Sequence, residues 1–199
     1  MLGVWAILLA AGKSSRMGQL KALLPWRDTT LIEHQLRSLL DAGVQQVIVV
    51  LGHDADRLKP IVEAVPGASW TLNEDYLQGK TTSLKAGVAA LTGQELSDVL
   101  LLNVDQPRSA DTVRTLLERH RAWSYRITIP THGGRGGHPI FIAAELLPEL
   151  VDIEEETQGL KAVVRRHAEA TERFEVDDPT VLWDLNTPEQ YQQAVDSGF

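Results

Sequence analysis

Apolar and polar positions alternate in blocks along this chain. Val4–Ala10 is an unbroken apolar run of strand length, the pattern of a strand covered on both faces. Asp98–Val104 is the most apolar run and reads as a central strand, with Val47–Leu51 and the shorter Ser69–Asn73 as further strands. Leu31–Asp41 has helical spacing, a capping-box pattern in Thr30 and Glu33, and Gly43 where a C-terminal cap belongs. Ala55–Ala64 reads as a helix that Pro60 breaks or kinks. Leu84–Leu91 is expected to be a helix started by Thr81, Thr82 or Ser83, and Ala110–Trp123 a longer one capped by Ser109 or Asp111. Ile127–Pro130 and Pro139–Ile142 read as strands on either side of a flexible glycine-rich loop. They are followed by a helix at Leu160–His167, a short strand at Arg173–Val176, and a last helix at Pro188–Val195 with Thr187 as cap and Pro188 at its first position.

Strand and helix patterns that alternate in this way predict an α/β fold: a single domain over residues 1–199 with a Rossmann-like, mostly parallel sheet flanked by helices. Ligands of such sheets sit beyond the C-terminal ends of the strands. The polar, glycine-rich or charged stretches lie there: residues 11–20 after the first strand, 105–107 after the central one and 132–138 later.

Composition narrows the function. The 199 residues include no cysteine, which excludes disulfides, thiolate catalysis and cysteine-bound zinc. The first apolar run is too short to span a bilayer and has no basic segment before it, so neither a membrane span nor a secretory signal is expected, and the cytoplasm is the expected location. A net charge of −8 argues against nucleic acid or an anionic membrane as partner. Two stretches run against that balance. Residues 1–27 hold Lys13, Arg16, Lys21 and Arg27 with no acidic residue. The interval between Glu118 and Glu145 holds Arg119, Arg121, Arg126 and Arg135 with His120, His132 and His138. Both are candidate sites for small anions.

The segment Ala10-Ala11-Gly12-Lys13-Ser14-Ser15-Arg16-Met17-Gly18 places small residues directly after a buried strand. There, successive main-chain N–H groups can close on an anion, and Lys13, Arg16 and Lys21 can supply charge to a triphosphate. A Walker A loop is excluded, because the required glycine five positions before Gly12 is Ile7, and no G-x-G-x-x-G occurs in the segment. The string Leu9–Gly18 with Lys21 and Leu24-Pro25 resembles the signature of the nucleotidyltransferase superfamily in its MobA-like branch. Ala10-Ala11-Gly12 is more similar to the molybdenum cofactor cytidylyltransferases than to the guanylyltransferases, which usually carry Ala-Gly-Gly. Asp105-Gln106-Pro107 and Gly137-His138-Pro139 match the family's D-Q-P and G-H-P motifs. Gly79-Lys80-Thr81-Thr82-Ser83 resembles the segment that contacts the base. Asp184-Leu185-Asn186-Thr187-Pro188-Glu189 resembles D-x-D-T-P-E, with Asn186 in place of the second Asp.

The resemblance implies a Mg²⁺-dependent transfer of CMP from CTP to a molybdopterin-type cofactor, with a molybdoenzyme or its chaperone as a possible recipient. It implies that Leu9, Ala10, Ala11, Gly12, Lys13, Ser14, Ser15, Arg16, Lys21, Gly79, Thr81, Thr82, Ser83 and Asp105 hold the nucleotide. Lys21, Arg16 and Asp105 would act on the phosphates, and Gln106, Pro107, Arg135, Gly137 and His138 would meet the acceptor. Asp105 is the expected metal ligand, with Asn186 or Asp184 as the second. Without the resemblance, Asp105 also reads as a loop cap, and Asp184 and Asn186 as parts of a turn. Another nucleotide such as GTP, a sugar-phosphate acceptor, or a non-catalytic carrier of nucleotide or cofactor are the alternatives. His34, His53, His120 and His167 lack ligand spacing and read as surface or partly buried. The five tryptophans, Trp123 among them, read as packing residues, and the acidic run 152–156 as solvated surface.

Overall fold

The structure is a computed structural model that describes residues 2–122, 125–156 and 158–198; Trp123 lies outside them. In chain order, β1 (Gly3–Ala10) is followed by a small hairpin, β2 (Pro25–Trp26) and β3 (Thr29–Thr30). Then come α1 (Leu31–Asp41), β4 (Gln46–Leu51), α2 (Ala55–Glu63), β5 (Ala68–Leu72), α3 (Lys80–Ala89), β6 (Leu96–Asn103) and α4 (Ala110–Ala122). The second half contains β7 (Ile127–His132), β8 (Arg135–Gly136), β9 (Ile140–Ala143), α5 (Leu147–Val151), α6 (Leu160–Arg166), β10 (Thr171–Glu175) and α7 (Pro188–Asp196).

The main sheet has the order β10-β7-β9-β6-β1-β4-β5, with β8 paired to β7. Its pairs are parallel except those made by β9 and β8; β9 runs antiparallel to both β6 and β7. Alternation along β1 sends Val4, Ala6, Leu8 and Ala10 to one face, where they meet Ile32, Leu36 and Leu39 of α1, Leu58 and Val62 of α2, and Val113 and Leu116 of α4. Ile7 faces the other way, with Leu84 and Val88 of α3, Leu150 of α5 and Val163 of α6. A third cluster, Met17, Leu24, Trp26, Leu31, Leu185 and Ala194, packs α7 under the small hairpin. The sheet is therefore covered on both faces, as the unbroken apolar runs require. Among the described residues no helix is long and apolar enough to cross a membrane.

Several local expectations change. Thr81, Thr82 and Ser83 form the first turn of α3 instead of capping it. The helix starts after Gly79 (φ 132°), and the Thr82 hydroxyl donates back to the Gly79 carbonyl at 2.8 Å. Pro60 does not end α2; the helix runs through it at the loss of one main-chain bond. The Thr30 box is half formed, with Thr30 Oγ1 accepting from Glu33 N while the Glu33 carboxylate takes the Thr29 hydroxyl. The complete box is at α7, between Thr187 and Gln190. The glycine-rich stretch is a tight hairpin: Gly133 and Gly134, both at positive φ, turn the chain so that His132 pairs with Arg135, and the Glu175 carboxylate accepts from the Gly133 amide.

The second basic interval is dispersed and does not gather into one anion site. Arg126 pairs with Glu145 at 2.7 Å, His132 Nδ1 bonds the Val176 carbonyl, and His120 is 4% exposed, within the core. In the acidic run, Ile153 is buried, and the Glu155 carboxylate accepts from the amide and hydroxyl of Thr81.

Candidate active site

The central strands end together. Leu9 is in register with Asn103 of β6, and Ala10 with Leu51 of β4, so the loop after β1 opens where three parallel strands stop. Gly52 allows this loop to press on the end of β4: a Cβ there would lie 2.8 Å from the Ala11 carbonyl oxygen, which accepts from the His53 amide. Ser14 takes the left-handed conformation (φ 53°). Its carbonyl accepts from Met17 N at 2.9 Å and its hydroxyl from Lys21 N at 3.0 Å. The loop is thus closed by its own bonds, and it delivers Lys21, 8% exposed, into the space beyond β6.

There the Lys21 ammonium donates to Asp105 Oδ2 at 2.6 Å and to Asn186 Oδ1 at 3.0 Å, and Arg16 reaches the same Asn186 oxygen at 3.1 Å. Asp105 leaves the end of β6. Its carbonyl accepts from Leu185 N at 2.8 Å, which brings the C-terminal motif to the strand end. The cleft has a volume of about 310 Å³. Of the residues singled out in the sequence, Leu9, Ala10, Ala11, Gly12, Ser14, Ser15, Arg16, Lys21, Gly79, Ser83, Asp105 and Asn186 line it. Lys80, inside the Gly79–Ser83 motif, lines it too; Tyr76, Leu77 and Asn103 also line it, and the motifs gave no signal for them beyond their nearness to matched positions.

Other candidates stand apart. Lys13 faces a second concavity with His53, Asp54 and Arg57, on the outer side of the loop. Thr81 and Thr82 spend their hydroxyls on Glu155, Gly79 and Asp75. Arg135 is exposed in the β8 hairpin. Asp184 is not among the residues lining the cleft, and its carbonyl accepts from Asn186 N. Gln106, 5% exposed, takes Asn103 N and Nδ2 on Oε1 and turns Nε2 toward His138 Nδ1 at 3.2 Å. That bond makes Nδ1 the acceptor of a neutral ring. Burial, assisted by the nearby Arg108 charge, pushes His138 down to about 4, which agrees. Gly137 lies against the Val181 carbonyl, 2.4 Å from where a Cβ would stand. Pro107 offers its carbonyl to Arg108, a residue the sequence reading passed over although it directly follows the D-Q-P motif.

Two oxygens, one carboxylate and one amide, converge on one point, and the Lys21 ammonium occupies it as a stand-in cation. Such a hard-oxygen pair suits Mg²⁺ or Mn²⁺, which commonly take one or two protein oxygens and complete their shell with phosphate and water. Asp105 and Asn186 thus fit a divalent ion.

Several known proteins are similar to this chain along nearly its whole length. The chain is 28% identical to molybdenum cofactor cytidylyltransferase of Escherichia coli K12, over 98% of this chain and 96% of that one. It is 32% identical to nicotine blue oxidoreductase of Paenarthrobacter nicotinovorans, over 94% of each. The crystal structure of Rv0371c from Mycobacterium tuberculosis H37Rv superposes with a TM-score of 0.83 at 26% identity, over 98% of both chains, and its manganese complex with 0.79, over 98% of this chain and 99% of that one. Residues 6–171, from the strand that carries the glycine-rich loop to the start of the last strand, match the MobA-like NTP transferase domain, and the chain belongs to that family of nucleotidyltransferases.

Proposed function

We propose that the protein transfers CMP from CTP to the phosphate of a molybdopterin-type cofactor, in the cytoplasm, with Mg²⁺ and release of pyrophosphate. The Lys21 ammonium held between Asp105 and Asn186 at the mouth of the glycine-rich loop carries the reading. The 28% identity to a cytidylyltransferase and the Ala10-Ala11-Gly12 string support CTP and the acceptor.

In this reading the main chain of residues 10–15 cradles the triphosphate. Lys21 turns from Asp105 toward the α-phosphate as negative charge grows there, and Arg16 draws the β- and γ-phosphates away; Lys13, on the outer side of the loop, adds positive charge only from a distance. Asp105 and Asn186 would hold the divalent ion, which would supply charge neutralisation at the phosphates; Asp184 does not line the cleft. An acceptor phosphate oxygen bonds to the α-phosphorus while the bond from that phosphorus to the bridging oxygen breaks, and the electron pair leaves with pyrophosphate. A phosphate monoester is already nucleophilic near neutral pH, so no general base is needed, and positioning and electrostatics supply the rate. Gly79 and Ser83 line the cleft where the base would lie, and Gln106 with His138 shapes the acceptor side.

The test is pyrophosphate release from protein, Mg²⁺ and molybdenum cofactor with CTP, GTP, ATP or UTP, together with the product mass. Release with CTP alone is expected. Release with GTP would overturn the base assignment, and no release with any nucleotide would favour a carrier.

A further inference from the structure

Arg108 has no exposed surface, and its four side-chain hydrogen bonds all end on main-chain carbonyls. Nε donates to His138 O at 2.8 Å, one terminal nitrogen to Pro107 O at 2.7 Å, and the other to Val181 O at 2.7 Å and Trp183 O at 3.3 Å. Its own amide donates to the buried Gln35, whose other amide end holds the Gln106 carbonyl. Three irregular segments therefore meet on one planar fork: the loop that carries Asp105, the G-H-P turn, and the stretch that leads to Asn186. Such segments have no sheet ladder to satisfy their carbonyls, and a lysine, with a point charge in place of a rigid fork, would not hold all of them. Burial pushes the guanidinium down to about 9, still charged at neutral pH; Asp178, Asp184 and Asp105 counter that burial from a distance.

We propose that Arg108 is a positioning residue that fixes the spacing between Asp105 and Asn186, and through it the place of the Lys21 ammonium. The carbonyls it grips lie two residues after Asp105 and three before Asn186, and Leu185 N, which donates to Asp105 O, ties the same two segments a second time. Its effect on turnover rests on the proposed nucleotidyl transfer; its effect on Lys21 does not.

The experiment compares wild type with Arg108→Met and Arg108→Lys, each checked for folding by circular dichroism. Acetic anhydride labelling of Lys21, followed by mass spectrometry, reads whether its ammonium is still held. Pyrophosphate release with CTP reads kcat and KM. In Arg108→Met, Lys21 is expected to be labelled severalfold faster, with kcat lower by about 100-fold, the cost of a roughly 1 Å misplacement, and KM for CTP nearly unchanged. Arg108→Lys is expected to be intermediate in both, and it decides the matter if the methionine variant does not fold. A folded variant that labels Lys21 at the wild-type rate overturns the proposal. If wild type releases no pyrophosphate, the transfer reading falls, and the labelling rates still decide the role of Arg108.

Discussion

Strand β6 carries an acidic residue at each end, and the two meet different fates. Near its start, Asp98 Oδ1 lies 3.1 Å from His120 Nε2; just past its end, Asp105 Oδ2 lies 2.6 Å from Lys21 Nζ. Both carboxylate side chains are 19% exposed, so burial does not separate them. What separates them is what remains to be bonded. Around Asp98 the partner is fully committed: His120 Nδ1 bonds Thr128 Oγ1 at 2.7 Å, and the ring stacks on Phe141 at 4.9 Å. Around Asp105 a cation sits where two oxygens from distant segments converge, at the wall of an open cleft. A Thr–His–Asp cluster locked in packing stabilises a fold, whereas a Lys–Asp–Asn cluster facing space can exchange its cation's partners for a substrate's.

Lys21→Ala and Asp105→Ala give the largest separation. Each is expected to lower pyrophosphate release about 100- to 1,000-fold while the melting transition persists, and a wild-type rate in either would erase the distinction between the two ends. Asn186→Asp adds a carboxylate beside Asp105 and should lower the Mg²⁺ concentration for half-maximal turnover; an unchanged metal titration would remove Asn186 from the ion's shell.

At the other end, Thr128→Val strips a bond from the buried His120. It should cost about 1–3 kcal/mol in urea unfolding with turnover intact. Asp98 adds a pH signature. Burial works to raise its carboxyl, but hydrogen bonds from His120 and Ser97 outweigh it and hold the group below the usual range. A depressed folded value means stability that is present above the unfolded value, about 3.9, and lost as pH falls through the folded one. The urea-midpoint difference between wild type and Asp98→Asn should therefore shrink on going from pH 7 to pH 3. The smallest expected effect concerns His138: with its ring pushed down to about 4, no inflection from it should appear in kcat/KM between pH 5.5 and 7.5. An inflection there that His138→Asn removes would put a titrating imidazole at the acceptor side.

The sequence made the central strands visible because burial on both faces keeps polar residues to their ends. It did not reveal that β9 is antiparallel, since apolar spacing carries no direction, and β2 and β3, at two residues each, are too short for any period. The start of α3 was misread because hydroxyl residues that often cap a helix here bond back to Gly79 and Asp75 from inside the first turn. At the site, Lys21, Asp105 and Asn186 were found through motif order, and spacing alone would not have joined residues so far apart in the chain. Arg108 escaped because a buried arginine has no period; only the carbonyls it meets in three dimensions explain it.

The antiparallel strand has a consequence of another kind. β9 joins the half-sheet β5-β4-β1-β6 to β7 and β10 through a seam of four residue pairs, Asp98 with Ala143 to Leu101 with Ile140. The seam sets β7, the β8 hairpin and β10 on the far side of β9 from the loop after β1. On the proposed reading, a lineage can remodel one half for new acceptors while it keeps the loop after β1, and divergence of reactions on a constant nucleotide grip becomes a property of the architecture.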